Sequence, residues 1–142
     1  MQPLWDYIIA LENEYGKYRK RIMTAFSLTA AETDIIMFLS NNPCADTSAK
    51  IAEVRKMQKS QVSLSVKRLL ERGLLNGEYS PNNKKCLHLK LTANAAPIVE
   101  FGHGIQNEFT DMLFKSFTAD ERTEFLRLHH KIAENIERNN AI

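Results

Sequence analysis

The segment from Thr47 to Thr92 constrains the fold of this chain more than any other part of the sequence. Its first half contains two short stretches with apolar residues at helical spacing, and its second half contains two strand-like stretches around a polar turn, Ser80 to Lys85. In the second strand-like stretch Leu87, Leu89 and Leu91 occupy every second position, so we expect these leucines to face inward. Two short helices followed by a hairpin with a basic tip predict a winged helix-turn-helix.

Individual residues predict the boundaries inside this segment. We expect Ile51 and Val54 to be buried on the first short helix, and Val62 and Val66 to be buried on the second. Gly73 is expected to end the second helix, because glycine adopts the left-handed conformation that helix ends require. The strands are expected over residues 74–79 and 86–91.

Long amphipathic helices are predicted on both sides of the central segment. Residues 4–26 place apolar side chains three and four positions apart, and so do two stretches in the C-terminal third. Thr29 with Glu32 and Thr118 with Glu121 have the spacing of capping boxes, so that we expect a helix to begin at each. The predicted fold class is therefore mainly α with a small β-hairpin wing.

Charge is concentrated in the central segment. From Asp46 to Thr92 there are ten Lys and Arg against four Asp and Glu, whereas the rest of the chain carries nine basic and thirteen acidic residues. The net charge of +2 therefore hides a basic block between acidic flanks. A basic face on a winged helix-turn-helix is expected where a protein meets phosphates, and we predict double-stranded DNA as a partner.

The sequence contains no pattern that indicates an enzyme or a membrane protein. It has neither a nucleophile–base motif nor a phosphate-binding glycine loop, and no apolar run approaches the ~18 residues of a membrane span. The N-terminus lacks the basic start and cleavage site of a signal peptide. Cys44 and Cys86 lie far apart in no metal-like spacing, so we expect a reduced, cytoplasmic location and no cofactor.

The chain resembles the MarR family of bacterial transcriptional regulators in two motifs. Residues 59–75, KSQVSLSVKRLLERGLL, are similar to the family's recognition helix and its exit into the wing. Residues 83–92, NKKCLHLKLT, match in length the family's wing motif, an Asp-x-Arg followed at a fixed distance by Leu-Thr. The resemblance implies a homodimer with one winged helix per subunit. It also implies regulation of nearby genes, as a repressor in our prediction, with release by a small phenolic or other apolar ligand.

Three residues depart from the family's pattern. Asn83 and Lys85 stand where the wing motif has Asp and Arg, and Leu64 stands where many members have an Arg on the recognition helix. Lysine lacks the planar fork of arginine and is more strongly hydrated, so it inserts less readily into a narrow minor groove. The usual wing ion pair cannot form through neutral Asn83.

The candidate DNA contacts lie on the polar face of the predicted recognition helix, on the helix before it and at the wing. Gln61 is the best candidate for reading a base, because a glutamine can form two hydrogen bonds with adenine. Short hydroxyl side chains allow close approach, and Lys and Arg can neutralise phosphates. An ordinary solvated helix face and turn would have a similar composition. The full set is Ser48, Arg55, Lys59, Ser60, Gln61, Ser63, Lys67, Arg68, Asn82, Asn83, Lys84 and Lys85.

The terminal helices carry more apolar surface than one winged-helix module can cover. The simplest cover is the same helices from a second copy, in an isologous two-fold interface. We therefore expect one domain of residues 1–142, in which residues 28–92 form the DNA-binding module and residues 1–27 and 93–142 form the dimerisation region. The candidate dimerisation residues are Leu4, Trp5, Ile8, Phe109, Phe114, Phe117, Phe125 and Ile132.

The MarR resemblance places an effector pocket between the dimerisation helices and the winged module. Tyr15, Tyr18, Met37 and His103 are pocket candidates on that ground, and core filling is the alternative role for each.

Two other functions stay open. A regulator of the same fold could respond to oxidation of a thiol or to a metal, although the family's peroxide sensors carry a cysteine in the first helix and none precedes Cys44 here. Adjacent His129 and His130 point about 100° apart on a helix and cannot easily share one ion. Alternatively, the winged helix could serve protein contacts only. The basic wing tip, Lys84 and Lys85, argues against this alternative, because a wing that binds only protein does not need it.

Overall fold

The computed structural model describes residues 3–141 as six α-helices, one two-stranded sheet and a short 3-10 turn. The predicted fold class, mainly α with a β-hairpin wing, is confirmed. The chain divides into two compact units, Met1–Asn107 and Glu108–Ile142. In chain order the elements are α1 (Pro3–Phe26), α2 (Ala30–Asn41), α3 (Ser48–Arg55), α4 (Lys59–Glu71), β1 (Leu75–Ser80), β2 (Asn83–Leu91), the 3-10 turn (Ala93–Ala95), α5 (Ala96–Leu113) and α6 (Ala119–Asn140).

Both predicted capping boxes are present. At the start of α2, Thr29 Oγ1 accepts a hydrogen bond from the backbone N–H of Glu32 at 3.1 Å, and the Glu32 carboxylate accepts one from the N–H of Thr29 at 2.8 Å. Thr118 and Glu121 make the same pair at the start of α6, at 3.1 and 2.9 Å. These bonds satisfy N–H groups that have no partner inside the helix, and they fix where each helix begins.

The core of the first unit is built around α2, which is buried along most of its length. Ile35 and Ile36 of α2 are fully buried, together with Ile51 of α3 and Leu69 of α4. Ile22 of α1 is also fully buried in this cluster. The core therefore joins α1, α2, α3 and α4 into one body that carries the hairpin.

One predicted core residue is exposed. Val54 on α3 has 48% of its surface exposed, so the prediction that it is buried was wrong. The buried residues of this two-turn helix are Ile51 and Ala52. Val54 points roughly 110° away from the centre of that face at 100° per residue, which places it on the side of the helix.

Gly73 ends α4 as predicted. Its φ of +72° lies in the left-handed region, where a side chain would be strained. The N–H of Gly73 bonds to the carbonyl of Leu70 at 3.1 Å, and the N–H of Leu74 bonds to the carbonyl of Leu69 at 3.0 Å. This pair of bonds is a Schellman motif, and it turns the chain from α4 into β1.

The hairpin has the predicted facing and a shorter turn than predicted. Leu89 is buried, and Leu87 and Leu91 pack partly buried against the core, so the inward placement of the leucines is confirmed. However, β2 begins at Asn83 and not at residue 86. The register shifts between Tyr79 and Ser80, which pairs Ser80 with Asn83. The turn between the strands is therefore only Pro81 and Asn82, and the basic residues of the predicted turn, Lys84 and Lys85, belong to β2.

The second unit contains an aromatic cluster. Phe114, Phe117 and Phe125 meet edge to face, with ring centroids 5.2 to 6.3 Å apart. The guanidinium of Arg122 lies 4.6 Å from the Phe114 ring centroid, and the ring of His129 stacks on Phe125 at 5.8 Å. These three predicted dimerisation residues thus contact one another within one chain.

No single helix among residues 3–141 is long and apolar enough to span a membrane, and the one helix pair that passes on length and composition, α1 with α2, is bent by 97°.

Candidate nucleic-acid interface

The α4 helix has one buried face and one polar face. Its buried residues, Val62, Ser65, Val66 and Leu69, follow helical spacing and fix the helix against the core. The opposite face is exposed to solvent. It presents all of the α4 residues predicted to contact DNA, together with Leu64: Lys59, Ser60, Gln61, Ser63, Leu64, Lys67 and Arg68.

The N-terminal end of α4 lies beside a tight turn from α3. Lys56 takes a left-handed conformation with φ of +54°, and Gln58 occupies the N-cap of α4 without a side-chain cap bond. The first N–H groups of α4 therefore receive no hydrogen bond from a capping side chain. An open cavity with a volume of about 670 Å³ lies at this end, lined by Lys56, Met57, Gln58, Ser60, Gln61 and Leu64.

The two predicted contacts on α3 differ in availability. Ser48 is half-buried in the first turn of the helix, next to the N-cap Thr47. Arg55 lies in the last turn, and its guanidinium is 3.8 Å from the carboxylate of Asp34, which also binds Arg19 at 3.0 Å. The Asp34 carboxylate partly neutralises the charge of Arg55. We therefore expect Arg55 to attract a phosphate less strongly than Lys67 or Arg68 does.

The wing presents its polar tip to solvent. Asn82, Asn83, Lys84 and Lys85 are all exposed. The side-chain oxygen of Asn83 accepts a hydrogen bond from the backbone N–H of Lys85 at 3.0 Å. Asn83 therefore braces the wing locally, without the charge of an aspartate. Tyr79 on β1 is also exposed, although it is not among the predicted DNA contacts.

A side-chain network that no sequence pattern indicated connects the wing to the helices. Nδ1 of His88 on β2 lies 2.8 Å from Oδ1 of Asp46, in the loop before α3. Nε2 of His88 lies 2.7 Å from Oγ of Ser80 and 3.6 Å from Sγ of Cys86. The backbone N–H of Leu89 also donates to the carbonyl of Asp46 at 2.8 Å. Asp46 thus holds β2 through both its side chain and its backbone.

The four predicted pocket residues lie on α1, α2 and α5 of the first unit. Met37 is buried in the core, where its sulfur packs against Gly102, and Tyr18 is half-buried against the same core. Nε2 of His103 lies 3.1 Å from Oγ of Ser40. The hydroxyl of Tyr15 accepts a hydrogen bond from Gln106 at 3.2 Å.

The cysteines and histidines form no metal cluster within residues 3–141, where no three Cys, His, Asp or Glu side chains are placed to hold an ion. Cys44 is exposed and Cys86 is half-buried, and both are free thiols.

The predicted dimerisation residues fall into two groups. Leu4, Trp5 and Ile8 of α1 are exposed, as are Phe117 and Ile132. Phe109, Phe114 and Phe125 are partly buried within the chain. The long helices of both units therefore carry large apolar side chains at the surface.

These features define a winged helix-turn-helix protein in which α3 and α4 form the helix pair, β1 and β2 form the wing, and long helices precede and follow the module. Residues 26–85, less than half of the chain, match the model of the MarR family. A comparison with curated protein sequences finds no significant match.

Solved structures of MarR regulators share the fold over nearly the whole chain. A MarR transcriptional regulator from Methanosarcina mazei Go1 has a TM-score of 0.82 at 16% identity, with 97% of this chain and 99% of that chain covered. Wild-type MarR from E. coli in its apo form has a TM-score of 0.71 at 23% identity, covering 93% and 97%. The resemblance to the MarR family that the sequence predicted is thereby confirmed.

A third similar structure was solved with DNA. It is a Listeria monocytogenes protein described as a MarR family transcriptional regulator in complex with 26mer DNA. Its TM-score is 0.81 at 18% identity, with 96% of this chain and 89% of that chain covered. At these identities the similarity establishes a shared fold.

Proposed function

We propose that this protein is a transcriptional regulator that binds double-stranded DNA as a homodimer, with α4 in the major groove and the wing at the minor groove. The observation that carries the proposal is the solvent-exposed polar face of α4, with Lys59, Lys67 and Arg68 beside Ser60 and Gln61. The basic residues suit phosphates, and the short or amide side chains suit base edges.

The wing supports the same proposal. Lys84 and Lys85 extend at the tip of a hairpin that Asp46 ties to the helix pair. A tethered wing can hold its lysines at a fixed distance from α4, so that both elements contact one duplex together. The solved Listeria monocytogenes protein of the same fold in complex with DNA is consistent with this use.

The homodimer is proposed from exposed apolar faces. On α6, Leu128, Ile132 and Ile136 recur every four residues and are exposed, and Leu4 and Ile8 recur in the same way on α1. Faces of this kind on long helices are covered when a second copy packs on them. Two subunits would also match two half-sites about one helical turn, ~34 Å, apart.

Repression of nearby genes and release by a small phenolic or other apolar ligand complete the proposal. They rest on the resemblance to the MarR family, with Tyr15, Tyr18, Met37 and His103 as the candidate pocket. Titration of the DNA complex with simple phenols would test release, and a Met37→Leu variant, which keeps the core volume, should change the response if this pocket is used.

The DNA-binding proposal is tested by selecting duplexes from a random-sequence library with the purified protein. We expect a two-fold consensus, and we expect Lys67→Ala to weaken binding to it. Lys131→Ala removes the same charge from α6 and should leave binding unchanged. Recovery of no preferred duplex, together with equal binding by both variants, would overturn the proposal.

A further inference from the structure

The polar face of α4 contains one aliphatic side chain. Leu64 is 50% exposed and makes no part of the core, which α4 contacts through Val62 and Val66. One turn before it on the same surface lie Ser60 and Gln61, and one turn after it lie the cationic side chains. A single exposed leucine needs no explanation by itself, but this one lies at the centre of the surface that would enter the groove.

The surface around Leu64 is a shallow, open depression. Leu64 and Gln61 both line the open cavity of about 670 Å³ at the N-terminal end of α4. Residues three apart on a helix are neighbours, with Cβ atoms ~5–6 Å apart. Their side chains can therefore reach the same or adjacent base pairs, which are spaced ~3.4 Å along the duplex.

The chemistry of the major groove selects one partner for an aliphatic side chain. Thymine exposes a 5-methyl group there, whereas cytosine and adenine present amino donors and guanine presents acceptors. Leucine offers no hydrogen bond, so contact with a polar base edge would leave that edge desolvated and unpaired. An arginine at this position would instead favour guanine.

We propose that Leu64 determines sequence specificity by packing on the 5-methyl group of a thymine, next to an adenine that Gln61 reads. This inference rests on the proposed DNA-binding function and deepens it. The two base pairs that Leu64 and Gln61 contact would then both be A·T pairs, and each contact fixes which strand carries the thymine or the adenine.

The test removes the methyl group and the side chain separately. Each thymine of the duplex selected with the wild-type protein is replaced in turn by deoxyuridine, which differs from thymidine only by that methyl group. For the wild-type protein we expect one position per half-site at which the replacement weakens binding about three- to fivefold, the effect of burying roughly one methyl group. In Leu64→Ala the same replacement should have no further effect.

Two control variants keep the interpretation clear. Val54→Ala shortens a similarly exposed aliphatic side chain on α3, and it should keep the wild-type response to deoxyuridine. Leu64→Met retains an apolar side chain and should also show the wild-type response to deoxyuridine. Because Leu64 is exposed, its substitution should leave the fold intact, and circular dichroism would verify this.

The outcomes separate the two proposals. If a preferred duplex is bound but tolerates deoxyuridine everywhere, or if Leu64→Ala responds like the wild type, the Leu64 inference is overturned while the DNA-binding proposal stands. If no preferred duplex is recovered, the Leu64 inference is overturned, and the DNA-binding proposal is overturned with it if Lys67→Ala and Lys131→Ala also bind equally.

Discussion

Asp46 and His88 lie 42 residues apart in the sequence, yet Oδ1 of Asp46 is 2.8 Å from Nδ1 of His88. The carboxylate belongs to the loop before α3, and the imidazole belongs to β2. Together with the backbone bond from Leu89 to Asp46, this pair joins the wing to the helix-turn-helix. This polar link adds to the apolar packing of Leu87, Leu89 and Leu91 against the core, and together they fix the position of the wing.

We expect His88→Ala to loosen the wing more than it destabilises the whole protein. The pair is partly exposed, so its loss should cost about 1 kcal/mol of unfolding free energy. Amide hydrogen exchange in β1 and β2 should accelerate, and DNA affinity should fall. Asn76→Ala, at an exposed position of β1, is the control. A double-mutant cycle with Asp46→Ala that gave no coupling would show that the two side chains do not act together.

The two glycines of α5 should respond oppositely to alanine. A Cβ at Gly102 would overlap the buried sulfur of Met37, whereas a Cβ at Gly104 would meet nothing within 4 Å. Overpacking costs ~1–3 kcal/mol, and alanine gains ~1 kcal/mol over glycine in a helix. Gly102→Ala should therefore be destabilising by about 1 kcal/mol and Gly104→Ala stabilising by a similar amount. Urea denaturation measures both, and equal shifts in the two variants would refute the packing role of Gly102.

Gln61 and Lys85 should have separable effects on DNA binding. Gln61→Ala should cost ~1–3 kcal/mol at one base pair and relax the preference there, because it removes contacts to a base edge. Lys85→Ala should weaken binding to all duplexes alike, because it removes a contact to the backbone. Competition among single-base variants of the selected duplex distinguishes the two. A uniform loss from Gln61→Ala would show that Gln61 reads no base.

Folding and dimerisation should be coupled. If a second copy covers the exposed faces of α1 and α6, the thermal midpoint should rise with protein concentration, since dimerisation stabilises the folded state by mass action. Ile132→Glu should abolish this dependence by placing a charge in the interface. Thr123→Glu puts the same charge on the opposite face of α6 and should preserve it. A wild-type midpoint that is independent of concentration, with a monomer in sedimentation, would contradict the two-fold assembly.

Much of the fold could be predicted because its signals are local. The capping boxes at Thr29 and Thr118 and the end of α4 at Gly73 each depend on residues within one turn of a helix, so the sequence contains the whole interaction. The alternation of leucines in β2 likewise sets which face is buried. The exposed set on α4 followed from helical periodicity alone.

The remaining features depend on tertiary contacts that local patterns do not contain. Nothing near His88 indicates that its partner is Asp46, and the register shift that places Asn83 in β2 arises from pairing with Ser80. Val54 fits an apolar helical pattern, but on so short a helix the core contacts of Ile51 and Ala52 decide its orientation. Arg55 was selected for its charge, and its approach to Asp34 could not be foreseen from spacing.

The affinity of the wild-type protein for its selected duplex, measured as a function of salt concentration, reports how many phosphates the protein neutralises. If α4 and the wing place their lysines and arginines on phosphates, the logarithm of the association constant should fall linearly with the logarithm of salt concentration. The slope should be about −0.9 for each phosphate neutralised, and it should become shallower by about one such step per subunit in Lys85→Ala. An affinity that stays constant from low to physiological salt would show that α4 and the wing do not place their cations on DNA phosphates.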